Sequence, residues 1–165
     1  MITPNKKILD LYVIQDVPIA NSTTLSVGDA VIINASAPSS VIGAANTTGI
    51  ILGTVAAIKN GSAGGNVFLQ ESTVTTASDN LTNAKISVDI IPSTSLSTLV
   101  ADLSAAAGTT TNSQYFGYFN LSASLNGTLN EASYSAGTEK QFLSYGVNPG
   151  NSSQVIGVWT KIAQA

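Results

Sequence analysis

The chain has 165 residues, 44% of them hydrophobic and only 9% charged, against roughly 25% charged in an average soluble protein. The six basic residues are all lysines, the net charge is −3, and histidine and cysteine are absent. This composition excludes thiol chemistry, disulfides, zinc-thiolate sites and histidine-based general bases. Without arginine to read phosphate or guanine, a nucleic-acid partner is not expected.

The low charge leaves Ser, Thr, Asn and Gln to keep the surface polar. Disordered chains combine few apolar residues with high net charge, whereas apolar runs recur along this whole chain. No run reaches the eighteen or so residues of a membrane span. Lys6 and Lys7 are followed by Asp10 and Asp16, which does not read as a secretory signal, so synthesis in the cytoplasm without export is expected. Eight Asn-x-Ser/Thr triplets, from Asn21 to Asn151, are read as chance in a chain so rich in these residues.

Taken in chain order, Ile8 to Ile14 is apolar and reads as a strand or extended arm, limited by Pro18. Residues 1–22 are therefore expected to form an extended N-terminal arm ahead of one β-rich domain, 23–165. Thr23 to Asn34 carries a turn signal at Val27-Gly28-Asp29 and a strand at Ala30-Val31-Ile32-Ile33. Gly49 to Ile58 is a β-branched strand, closed by Asn60-Gly61, a hairpin signal because a type I′ turn needs φ > 0 at both central positions. Asn66 to Gln70 predicts the next strand, and Asp79 to Ala84 a polar turn. Lys85 to Ile91 alternates strictly, with Ile86, Val88 and Ile90 on one face, and ends at Pro92, a soft sub-domain boundary.

Ser95 to Ala107 predicts the one helix, because Leu96, Leu99, Val100 and Leu103 share a helical face and Gly108 can close it. Gln114 to Leu121 predicts a strand aromatic on both faces, with Tyr115 and Phe119 on one and Phe116 and Tyr118 on the other. Asn126-Gly127 predicts a hairpin end. Glu139 to Tyr145 and Gln154 to Ile162 predict the last two strands, joined through Asn148-Pro149-Gly150-Asn151, with Trp159 as a core anchor. The fold class is thus mainly β, a small barrel or sandwich of short antiparallel strands with one helix at about 95–107.

Little in the sequence carries chemistry. No nucleotide-binding glycine motif and no Ser-x-x-Lys is present. Nine acidic residues leave a carboxylate-pair glycan hydrolase as a remote alternative, but none lies in a motif that sets two at a working separation. Asp29 and Asp79-Asn80 lack the spacing of a calcium loop. The expectation is a non-enzyme with no catalytic, cofactor or metal residues. Tyr115, Phe116, Tyr118, Phe119 and Trp159 read as core or interface, the alternative being a sugar-stacking platform.

Val17-Pro18-Ile19-Ala20-Asn21-Ser22 with Leu25-Ser26-Val27-Gly28-Asp29-Ala30-Val31, and later Gly49 to Ile58, resemble the opening of tailed-phage head decoration (cement) proteins. Gly117 to Leu121, Asn126-Gly127, Gln141-Phe142-Leu143 and Val155 to Trp159 are similar in style. The resemblance implies a structural protein on the virion exterior that binds the major capsid protein where subunits meet, often as a homotrimer. It implies no catalytic residues, cofactor, membrane or nucleic-acid partner. Ile8, Leu11, Tyr12, Val13, Tyr115 and Tyr118 are the expected contacts. The alternative function is a glycan-binding domain of a phage head or tail fibre.

Overall fold

The computed structural model describes residues 13–45, 50–61, 69–83, 86–93, 98–103, 116–122, 127–130 and 139–160. It is mainly β, with antiparallel sheets and one short helix. The first half contributes β1 (Ile14–Pro18), β2 (Thr24–Ser26), β3 (Ala30–Ile33), β4 (Val41–Gly43), β5 (Gly53–Asn60), β6 (Leu69–Glu71), β7 (Thr73–Thr75), α1 (Asn80–Asn83) and β8 (Ile86–Pro92). The second half contributes β9 (Leu99–Leu103), β10 (Tyr118–Leu121), β11 (Thr128–Asn130), β12 (Phe142–Asn148) and β13 (Asn151–Trp159).

The first sheet runs β1-β8-β5-β3-β4, with β6 on β5 and the β2-β7 ribbon apart. Alternation works as expected in β8, where Val88 and Ile90 are buried. They meet Ile19, Leu25, Val31, Val41, Val55, Ile58 and Val74 in one apolar core. The end of β1 turns back to β4 through a parallel bridge between Ile19 and Val41, so this sheet nearly closes around that core. Buried polar groups there are satisfied: Asn80 Nδ2 donates to the carbonyls of Ile19 (2.7 Å) and Ile86 (3.2 Å), and the Thr76 hydroxyl donates to the carbonyl of Ala20. Outside, hydroxyls pair with hydroxyls, Thr24 with Thr75 and Ser26 with Thr73, which is how a charge-poor surface keeps its polarity.

In the second half the ladders β10-β11-β9-β13-β12 return to β10, closing a ring. All are antiparallel except β11 with β9, which run parallel. Phe119, Leu121, Leu129, Phe142, Val155 and Trp159 fill the ring, and Phe142 meets the Trp159 ring edge-on at 5.2 Å. The same core takes in Ala30, Ala44 and Ile51 from the first half. Two polar ties cross the divide: Trp159 Nε1 donates to Thr54 Oγ1 (3.0 Å), and fully buried Gln141 takes the Leu121 N–H on Oε1 while giving Nε2 to the carbonyl of Ala45. The change of pattern near Pro92 thus marks where one sheet ends and the next begins, across a shared core.

Three expectations are corrected. Leu99 to Leu103 is strand β9, not part of a helix at 95–107: Leu99, Ala101 and Leu103 face the core while Val100 and Asp102 face out, and pairing with β13 enforces the two-residue period. The remaining helix positions, 95–97 and 104–107, lie outside the described residues. The helix that does form is one turn, Asn80–Asn83, inside the stretch expected to be a turn. Asn60-Gly61 is not a two-residue turn either, because Asn60 pairs with Leu69 and the connection is longer.

Of the arm 1–22, Ile14–Pro18 is an integral sheet strand on β8, since Ile14 and Val17 find partners in Ile90 and Val88, and Ile19 and Ala20 are buried. β10 and β11 pair antiparallel with Leu121 opposite Leu129, as expected, although Asn126 of the expected Asn126-Gly127 turn lies outside the described residues; the hairpin expected at Asn148–Asn151 forms, with Asn148 opposite Asn151.

Candidate functional site

The strands of the ring carry apolar side chains on both faces. Residues of one parity fill the core; those of the other parity point away from it. Val100 pairs with Ile156, Val158 with Leu143, and Leu143 with Tyr118, so these five side chains form a continuous stripe across β9, β13, β12 and β10. None belongs to either core. Val100 is 56% exposed, Ile156, Leu143, Val158 and Tyr118 are half-buried, and Tyr145 stands exposed beside them. Tyr145 is the extra residue of a β-bulge between Ser144 and Gly146, which the Ser144 hydroxyl holds by accepting the Gly146 N–H. Tyr145 keeps the outward parity of Leu143, two residues before it. Lys140 Nζ sits 5.5 Å from the Tyr118 ring centroid, a cation–π contact at the stripe's end.

The first sheet's outer face carries the only ion-pair cluster among the described residues. Lys59 on β5 lies 2.8 Å from an Asp89 oxygen on β8 and 2.9 Å from Asp16 on β1. The Asp89 carboxylate, then that of Asp16, raises the Lys59 pKa against the opposing effect of burial. Asp16 itself has φ = 57°, an uncommon value for a non-glycine residue. Its backbone N–H donates to Asp89, so one cation and one carboxylate pin a bulged edge strand. The cluster holds three strands together, its two carboxylates sharing one lysine.

A small pocket of about 70 Å³ opens where the two sheets meet, bordered by Gly28, Thr54, Leu99, Ala101, Gly127 and Trp159. Ligand sites usually enclose roughly 300–1,000 Å³, so this one takes a single side chain at most. Gly28 sits in a tight turn at φ = 94°, a conformation that favours glycine, although a Cβ there would meet no atom.

Of the expected contact residues, Ile8, Leu11, Tyr12 and Tyr115 lie outside the described residues. Val13 is half-buried just ahead of β1. Tyr118 is on the outward stripe, on the face opposite Phe119. Phe116, expected on the same face, precedes β10 at φ = 58° and is 72% exposed. Trp159 is 8% exposed with its N–H spent on Thr54, so it anchors the core and offers no sugar-stacking face. Sequence reasoning missed Val100, Leu143, Ile156 and Val158. Their signal was present in Val155-Ile156-Gly157-Val158-Trp159, which is apolar at both parities.

Among the described residues no group of three or more Asp or Glu side chains gathers where a metal could be held, and no helix is long and apolar enough to cross a membrane. Comparison with known protein families, with curated proteins and with solved structures finds no match.

Proposed function

We propose that this chain is a structural virion protein that binds the outer surface of an assembled phage capsid and stabilises it by bridging capsid subunits, as a homotrimer. The observation that carries the reading is the outward stripe Val100, Ile156, Val158, Leu143 and Tyr118 with Tyr145 alongside. A contiguous apolar patch on a sheet whose other face already fills a core marks a surface that is covered in use. At one end Asp102 accepts a hydrogen bond from Gln154 and at the other Lys140 lies over Tyr118, so charged and amide groups rim the patch while its centre is apolar. The sequence resemblance to head decoration proteins supplies the partner, the major capsid protein, and the place, the capsid exterior after synthesis in the host cytoplasm. No catalytic step, cofactor, nucleic acid or membrane enters the reading.

Binding only to the assembled state shifts assembly by mass action, and three linked copies raise avidity without new contacts. The glycan-binding alternative has lost Trp159 to the core and keeps only Tyr118 and Tyr145 as described outward rings on the ring strands. The test is co-sedimentation with shells assembled from the major capsid protein of the same virus. Saturable binding that raises the shell's melting temperature is expected. No binding at micromolar concentration, or binding to a glycan array with none to shells, overturns the proposal.

A further inference from the structure

We infer that two copies of this chain pair face to face through the outward stripe, about a two-fold axis that sets Asp102 of each copy against Lys140 of the other. The inference rests on the reading above only in taking the stripe as a surface that is covered in use. It goes further by naming what covers the stripe when no shell is present.

The stripe has unlike ends. At the β9 end, Asp102 shares the outward parity of Val100 and is exposed. At the β10 end, exposed Lys140 lies over the Tyr118 ring. Among the described residues neither charge is in an ion pair, the salt bridges being those of Lys59. Between the two ends run Val100, Ile156, Val158, Leu143 and Tyr118, none of them charged.

A surface with an acid at one end, a base at the other and apolar side chains between is complementary to itself. In a two-fold interface, residue i meets j and j meets i. With the axis across the stripe, Asp102 meets Lys140 twice and Val100 meets Tyr118 twice, while Ile156, Val158 and Leu143 of the two copies meet at the centre. With the axis along the stripe, Asp102 faces Asp102 and Lys140 faces Lys140, which like charges oppose. The charges therefore fix the orientation, and burial of the apolar centre drives the contact.

A second copy is the occupant because it presents the matching base and acid at the same separation by identity. A net charge of −3 over 165 residues sets little repulsion between copies. The contact closes on two copies and hides its own surface. It is distinct from the three-fold grouping proposed on the shell and uses the face that the shell would cover, so the two contacts compete. Pairing keeps the stripe from indiscriminate association until a multivalent shell surface displaces it.

Sedimentation equilibrium of the full chain, without shells, tests the pairing. Wild type is expected to associate reversibly in pairs. Asp102→Lys and Lys140→Asp each turn two attractions into two repulsions, and each alone is expected to weaken association by about tenfold or more. The double variant Asp102→Lys/Lys140→Asp restores both attractions with signs exchanged and is expected to return to within about threefold of wild type. The chain lacks cysteine, so a short bis-maleimide reads the contact a second way. Asp102→Cys mixed with Lys140→Cys is expected to give linked dimers that neither variant gives alone. A monomer throughout the micromolar range leaves the stripe to the shell and overturns the inference. So do single reversals that associate like wild type, a double variant no tighter than the single ones, or links formed as readily by one cysteine variant alone. Shells take no part in these measurements, so the pairing can fail while shell binding stands, and the reverse.

Discussion

Trp159 and Thr54 give the sharpest test of the shared core, because their hydrogen bond joins β13 to β5 across the divide between the sheets. Replacing Trp159 by Phe removes that bond, worth about 1 kcal/mol net. It also removes two buried ring carbons at about 0.8 kcal/mol each, for a total near 2–3 kcal/mol. Thr54→Val keeps the shape but strands the indole N–H of a residue that is 8% exposed, at a cost of about 1–3 kcal/mol. In a double-mutant cycle the two losses should overlap by about 1 kcal/mol, since the second change finds the bond already gone. Urea unfolding followed by far-UV circular dichroism measures all four proteins without relying on the tryptophan. One cooperative transition is expected for each, with the midpoint moving and the slope unchanged. Two transitions in the wild type, or a coupling energy within error of zero, would refute the claim that the two sheets stand on one core.

Lys59→Met should cost about 1–2 kcal/mol, more than an ordinary surface pair, because it leaves the largely buried Asp89 carboxylate facing Asp16 without a cation; chemical denaturation measures it. The folded pKa of Lys59 is raised, so its contribution is fully present below the unfolded lysine value and is lost as pH rises through the raised one. Wild type minus Lys59→Met stability should therefore stay level through neutral pH and shrink only at strongly alkaline pH. Gly157→Ala should destabilise by about 3 kcal/mol or prevent folding, as its Cβ would meet the Leu143 backbone oxygen and the Phe142 ring; expression yield and melting temperature report it. Ile156→Lys and Val158→Lys, both facing outward, should change stability by only about 0.5 kcal/mol yet abolish sedimentation with shells.

Legibility in the sequence followed locality. Lys85 to Ile91 and the Asn148–Asn151 hairpin were plain because a two-residue alternation and a turn between adjacent strands are local facts. The β2-β7 ribbon was not, since Thr73-Val74-Thr75 is a three-residue strand whose partner lies near residue 25. Leu99 and Leu103 satisfied both a helical and a strand period, Val100 only the helical one, and the distant β13 decided between them. Pairing across the chain likewise made the ion cluster illegible, because Asp16, Lys59 and Asp89 become neighbours through strand order alone. Trp159 was readable as an anchor, but that its ring would reach Thr54 was not. The outward stripe was half-readable: two-sided apolar strands said that something must cover them, and the ring closure decided which parity was left outside.

The sharing of Ala30, Ala44 and Ile51 has a consequence for how the chain matures. Every described member of the first core lies at or before Ile90, so that half can complete itself while the ribosome is still making the rest. Its opening strand must nonetheless wait, because Ile14 finds its partner only when Ile90 emerges. The second half has no such independence, since its interior is lined by side chains that the first half presents. Folding from the N-terminus thus offers the later strands a finished template to close upon. A released chain truncated between residues 92 and 99 should be protease-resistant, whereas the second half expressed alone should not.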